Sequence, residues 1–210
     1  MMPFKLAEPT TLQEAVNLLD AEDPTIRPLS GGTALMLMMK SGLFVPSTLV
    51  SLQQVEDDCH GVTTQDDGSL NIGALTPLRI LEHSADAPAV VRKTMKTLSN
   101  VRVRNVARVG GSLAHGDPHM DLPPVMIVLG ASVRVIGPSG ERTVKLENFY
   151  EGYYETSLAA NELIVSVSVP APNGIRAAYK KVTTRAAEDW PALGVAAAMR
   201  GEGSDITEAR

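Results

Sequence analysis

Apolar positions along the chain change their period several times, and each change marks an element. In TLQEAVNLLD, Leu12, Ala15, Val16 and Leu19 recur at helical spacing, and Thr11 with Glu14 three residues on forms a capping-box pair. A first amphipathic helix is predicted there. After a turn over residues 22–24, TIRPLSGGTALMLMMKSG reads as a short strand, a Gly-Gly turn and a methionine-rich helix ending near Gly42. STLVSL follows as a second strand, so residues 1–58 are expected to form a small β-α-β unit. From Gly61 the period falls to two. VTTQDDGSLNIGAL predicts a hairpin with Asp67 and Gly68 in its turn. Thr76 before Pro77 has the cap-then-proline order of a helix start, and APAVVRKTMKTLS continues as a longer helix. ASVRVIGPSGERTV and ELIVSVSVP alternate as half-buried strands, with turns at 138–140 and 170–174. Residues 59–172 therefore read as an α+β unit with a mainly antiparallel sheet. Residues 173–210 supply two strand-like runs and a polar, glycine-containing tail. Two strands do not close a domain, so this third unit is expected to be incomplete.

Composition narrows the picture. The chain has 210 residues, 44% of them apolar and 4% aromatic, enough for one good core or two small ones. Its formal charge is −5, and the basic residues are scattered apart from Arg102, Arg104 and Arg108, which argues against a nucleic-acid footprint. Cys59 is the only cysteine; it excludes an internal disulfide and fits a reducing cytoplasm. The N-terminal MMPFKLAEPT lacks a signal pattern, and no apolar run reaches the roughly 18 residues of a membrane span.

Candidate chemistry concentrates in residues 109–124, VGGSLAHGDPHMDLPP. His115, Asp117, His119 and Asp121 alternate at the two-residue step of a strand, which is one way to build a metal site. Pro118 interrupts the run, Pro123 and Pro124 close it, and His60 and His83, the only other histidines, lie in ordinary polar surroundings. A cofactor loop accounts for the same residues better. Gly110 and Gly111 let the backbone approach a ligand, adopt positive φ and expose consecutive N–H groups. Gly31, Gly32 and Thr33 offer a second such loop between a strand and a helix. Two phosphate-receptive loops suit a pyrophosphate. Asp121, at a helix start, accepts from a ribose or stabilises its own helix's N-terminus. Each Gly-Gly taken singly also fits a plain tight turn, and Asp121 a plain cap.

The combination is recognisable. LSGGTALMLMMKSG, followed by NVRVRNVARVGGSLAHGDPHMDLPPVMIVLGASVRV, resembles the FAD-binding medium subunit of molybdenum hydroxylases, the xanthine dehydrogenase and carbon monoxide dehydrogenase families. The resemblance runs from Phe4 to Met199. It implies a two-subdomain FAD-binding fold of the PCMH (vanillyl-alcohol oxidase-like) type, α+β, with a truncated C-terminal domain, since members of the family continue further. It also implies a flavin-binding set. The first loop is Pro28, Leu29, Ser30, Gly31, Gly32, Thr33, Ala34 and Leu35; the second is Arg108, Val109, Gly110, Gly111 and Ser112. Leu98 on the preceding helix packs near the adenine or the ring system, His115 follows the second loop, and Asp121 contacts the cofactor. Ile164 packs against the flavin, and Lys180 is a basic flavin contact. Read without the resemblance, Ile164 is a core strand residue and Lys180 a surface lysine. Ser112 departs from the Asn or Asp common in the family. Trp190, the only tryptophan, lies either over the flavin or in a core.

The implied function is electron transfer by non-covalently bound FAD, with no catalytic acid, base or nucleophile on this chain. A molybdenum-pterin centre is expected on a large partner subunit and two 2Fe-2S clusters on a small one. A chain with one cysteine cannot ligate such a cluster. Two other classes stay open: a stand-alone FAD-dependent reductase, and a flavin-free module of the same fold.

Overall fold

The computed structural model describes residues 2–55, 59–186, 189–203 and 205–210. Its first layer alternates β1 (Lys5–Ala7), α1 (Leu12–Leu18), β2 (Ile26–Leu29), α2 (Leu35–Lys40) and β3 (Thr48–Ser51), with the strands in a parallel sheet of order β1-β3-β2. The capping box of α1 is complete. Thr11 Oγ1 accepts the Glu14 N–H at 3.2 Å and the Glu14 carboxylate accepts the Thr11 N–H at 3.3 Å; such a cap is worth about 1 kcal/mol. Strand β1 escapes the sequence pattern because three mostly exposed residues carry no period. Its pairing with β3, Leu6 opposite Leu49, defines it instead.

The second layer is an antiparallel sheet that begins with the expected hairpin, β4 (Val62–Thr64) and β5 (Leu70–Gly73), turning at Gly68 with φ 78°. Five helices follow: α3 (Leu78–His83), α4 (Ala89–Thr97), α5 (Val101–Val106), α6 (Val109–Ala114) and α7 (Leu122–Val128). Thr76 does not cap α3. Pro77 takes the cap position without a side-chain cap bond, and the buried Thr76 hydroxyl donates to the Gly61 carbonyl at 3.0 Å. Residues 109–124, for all their glycine and proline, are helical at both ends. Pro123 and Pro124 stand in the first turn of α7, where a missing N–H leaves no helical bond unmade.

The sheet continues through β6 (Ser132–Gly137) and β7 (Gly140–Lys145). A small ribbon of β8 (Tyr150–Gly152) and β9 (Glu155–Thr156) precedes β10 (Leu163–Val169), and the strand order is β4-β5-β10-β6-β7. Strand β10 is buried on both faces, not half-buried as its alternation predicts. Leu163 and Val165 pack with Ala15, Val16 and Val50 of the first layer, while Ile164, Val167 and Val169 join Leu113, Met126 and Phe149 beneath the helices. A register shift between Ile164 and Ser166 exchanges the two faces mid-strand.

The last elements, β11 (Arg176–Val182), β12 (Leu193–Glu202) and β13 (Asp205–Ala209), form an antiparallel sheet in chain order. The expected polar tail is thus a third strand. Ala177, Tyr179 and Ala196 pack on the main core, with α4 and α7 beneath. Val182, Leu193, Val195, Met199 and Ile206 are exposed.

Candidate functional site

The two glycine loops, far apart in sequence, touch. A Cβ on Gly31 would collide with the Val106 carbonyl oxygen and lie 2.8 Å from Ala107 Cα; one on Gly111 would lie 2.7 Å from Ser30 Oγ. At Gly31 the obstacle is fixed backbone, so only glycine permits the approach, whereas at Gly111 it is the Ser30 hydroxyl on a rotatable side chain. Gly32 turns the first loop with φ 68°, between the end of β2 and the start of α2. Residues 28–35 are all partly exposed.

The loops differ in what they offer. In the first, the N–H groups of Gly31, Gly32, Thr33 and Ala34 have no hydrogen-bond partner among the described residues. In the second, Gly110 and Gly111 belong to α6 and have ordinary negative φ, so the expected positive-φ bend is absent. The Gly110 N–H is committed to the Ala74 carbonyl at 2.8 Å and the Val109 N–H to the Thr76 carbonyl at 3.0 Å. A Cβ on Gly110 would sit 2.7 Å from the Ala74 Cβ, so that glycine serves close packing of α6 on β5's end. Among the described residues the Gly111 N–H stays unpaired, and Ser112 Oγ is buried with no partner. The second loop is a half-used set of donors.

Two arginines flank the loops. The Arg27 guanidinium lies 5.7 Å from the Phe44 ring centroid, and Arg108 precedes α6. Burial lowers the pKa of both, and among the described residues neither has a carboxylate in ion-pair range. Unpaired guanidinium charge beside unpaired N–H groups favours an anion. His115 ends α6, its ring edge-on to Tyr154 at 5.2 Å. Burial holds its pKa below the usual histidine value, with Arg27 adding to the effect and Asp117 opposing it.

The remaining predicted residues lie elsewhere. Leu98 is not on the helix before the second loop; it ends α4, buried in the main core, with α5 between. Ile164 is buried in β10 under α6. Asp121 precedes α7 but makes no side-chain cap bond. Its Oδ1 accepts from Tyr179 Oη at 2.6 Å and its Oδ2 from Lys181 Nζ at 2.9 Å, while the same Nζ donates to the Thr97 carbonyl at 3.1 Å. The carboxylate thus joins α7 to β11 and the end of α4. Burial, then the Asp121 contact, raises the Tyr179 pKa. Lys180, on the opposite side of β11 from Lys181, is exposed. Trp190 is in no core: it is 67% exposed and stacks on His119 at 5.2 Å. Asp117 accepts from the His119 N–H at 2.9 Å and lies 2.9 Å from its Nδ1. Sequence reasoning missed Arg27, Tyr179 and Lys181; the strand period in RAAYKKV, which places odd-numbered residues inward, was the available signal for the last two.

Comparison with known proteins identifies the family. Residues 2–172 match the family model described as FAD binding domain in molybdopterin dehydrogenase. The chain is 32% identical over 208 residues to the glyceraldehyde dehydrogenase medium chain of Sulfolobus acidocaldarius, covering 98% of this chain and 73% of the relative. It is also 32% identical over 211 residues to the carbon monoxide dehydrogenase medium chain of Hydrogenophaga pseudoflava, covering 99% of this chain and 72% of the relative. Among solved structures, the carbon monoxide dehydrogenase of H. pseudoflava lacking the Mo-pyranopterin moiety superposes with a TM-score of 0.93 at 33% identity, covering 100% of this chain and 74% of that one. Quinoline 2-oxidoreductase from Pseudomonas putida 86 gives a TM-score of 0.90 at 29% identity, with 100% and 73% covered. The fold is that of these FAD-binding chains, the PCMH-type fold the resemblance implied, and the chain belongs to the family of FAD-binding domains of molybdopterin dehydrogenases, a flavoprotein component of these oxidoreductases.

Proposed function

We propose that the two facing loops hold the pyrophosphate of a non-covalently bound FAD, and that the chain relays electrons from iron-sulfur clusters of a partner subunit to an external acceptor. The observation that carries this reading is the mutual contact of Gly31 with Val106 and Ala107, and of Gly111 with Ser30. It gathers the unpaired N–H groups of residues 31–34 and Gly111, together with the orphaned Ser112 hydroxyl. These donors fit an anionic dinucleotide, and Arg27 and Arg108 supply charge that no carboxylate among the described residues cancels. When bound, FAD supplies the redox chemistry, taking up electrons singly and releasing them in pairs.

The chain's own residues bind, orient and shield. Gly31 and Gly32 bring the backbone close, Ser112 offers its hydroxyl, and His115, kept neutral by burial at pH 7, adds no charge. Residues 28–35 and 108–112 carry the proposal. Leu98, Ile164 and Asp121 act behind them, through the core and the tie to β11, and Lys180 faces away from that tie. A large molybdenum-pterin subunit and a small iron-sulfur subunit are the inferred partners, because a single buried Cys59 cannot ligate a cluster. No helix among the described residues is long and apolar enough to cross a membrane. We place the complex in the cytoplasm because a chain with a single cysteine fits a reducing compartment.

Titration of the apoprotein with FAD, followed by flavin fluorescence and visible absorption, tests the reading. Saturable uptake giving a yellow protein is expected. A folded apoprotein that takes up no FAD refutes it and leaves the flavin-free module standing.

A further inference from the structure

The contact between the loops depends on where α5 ends, because Val106 and Ala107 are the wall against which Gly31 lies. What holds α5 is a buried arginine. Arg104, 8% exposed, donates from Nε to Glu82 Oε2 at 2.9 Å and from Nη1 to the carbonyls of Leu98 at 3.1 Å and Ser99 at 2.6 Å. Its guanidinium thus pins α5 to α3 through Glu82 and to the end of α4 through two carbonyls. Ser99 has φ 51°, a left-handed conformation that a non-glycine residue holds only where its surroundings enforce it. Arg79 reaches Glu82 from the more exposed side, at 3.0 Å from both oxygens.

From α5 the restraint passes directly into both loops. The Ala107 carbonyl accepts the Leu78 N–H at 3.0 Å, and Val109 and Gly110 return bonds to Thr76 and Ala74. We propose that Arg104 is a positioning residue for the cofactor site: by locking α5 to α3 and α4 it sets the spacing between the two glycine loops, and with it their grip on the dinucleotide. The proposal rests on the FAD reading for its ligand, but the coupling of the loops is testable without one. Lysine cannot substitute, because a single nitrogen does not span one carboxylate and two carbonyls held by a planar fork.

The test compares wild type, Arg104→Lys and Arg79→Gln by amide hydrogen exchange of the apoprotein and by FAD titration. Four bonded amides report the loops: Met36 to Gly32, Leu78 to Ala107, Val109 to Thr76 and Gly110 to Ala74. In Arg104→Lys their exchange is expected to accelerate about tenfold while Val133 and Val167 in the central sheet keep wild-type rates. The FAD dissociation constant is expected to rise about tenfold or more, in line with the sensitivity of bound geometry to small misplacements. Arg79→Gln leaves both readouts at wild-type values. Equal acceleration at Val133 and Val167 means that Arg104 merely stabilises the fold and overturns the proposal. Unchanged exchange at the four amides, or unchanged FAD affinity beside loosened loops, also overturns it. Local acceleration in a protein whose wild type takes up no FAD supports the coupling through Arg104 and sinks only the FAD reading. Should Arg104→Lys fail to fold, Glu82→Gln, which keeps a hydrogen bond and removes the charge, undergoes the same measurements with the same criteria.

Discussion

Replacing Gly31 by alanine tests the loop contact most directly. The new methyl group would collide with the Val106 carbonyl oxygen and lie 2.8 Å from Ala107 Cα, both backbone atoms fixed in the α5 to α6 connection. No side chain can rotate away, so the loops must separate, at the roughly 1–3 kcal/mol of an overpacked contact. Separation pulls N–H groups of residues 31–34 from a phosphate. Losing one such charge-assisted bond, about 1.5–3 kcal/mol, weakens FAD binding by about 10- to 150-fold. Gly111→Ala provides the internal comparison. Its methyl would meet Ser30 Oγ at 2.7 Å, an atom on a rotatable side chain. The expected effect is smaller, and Ser30→Ala in the same chain removes the obstructing atom and restores affinity, whereas adding Ser30→Ala to Gly31→Ala restores nothing. Flavin fluorescence titrations on the four variants at one ionic strength, with thermal unfolding of each apoprotein, read both quantities. Wild-type FAD affinity in a folded Gly31→Ala protein would refute the reasoning.

Three further outcomes follow from the same geometry. Arg27→Gln and Arg108→Gln are each expected to weaken FAD binding about tenfold and to flatten its salt dependence, as removal of a charge facing phosphate does; dissociation constants across a sodium chloride series check this, and unchanged values in both variants contradict the assigned role. Asp121→Ala leaves Lys181, whose side chain is 8% exposed, without its carboxylate and is expected to destabilise the fold by about 3–5 kcal/mol, a loss that urea unfolding measures and that an unshifted midpoint disproves. His115 has a folded pKa below its unfolded value because burial disfavours the charged ring, so its contribution is present above the unfolded pKa, near the ordinary histidine value of about 6.5, and is lost as pH falls through the folded one. Urea midpoints of wild type and His115→Asn between about pH 5 and 7 are expected to converge on acidification; parallel curves would show that the ring titrates alike in both states.

Local chemistry was legible in the amino acids. Thr11 and Glu14 cap α1, Gly68 turns the hairpin, and the strand, Gly-Gly turn and methionine-rich helix of residues 25–42 appear where their period and turn residues place them. Each of these depends on neighbours within one or two turns of chain, so the pattern and the structure carry the same information. The partners of Asp121 were not legible, because Tyr179 and Lys181 stand 58 and 60 residues away and reach it only when β11 lies across α7. Nor was the difference between the two diglycines: an N–H group is free or committed according to whether Ala74 has been brought beside it. Strand β10 alternates as a half-buried strand would, yet packing covers both faces: the first layer takes Leu163 and Val165, while the main core takes Ile164 from the other face and, past the register shift, Val167 and Val169. Residue type and spacing specify which donors, charges and turns are present; only the packing of layers determines which of them have been used up and which are left for a ligand.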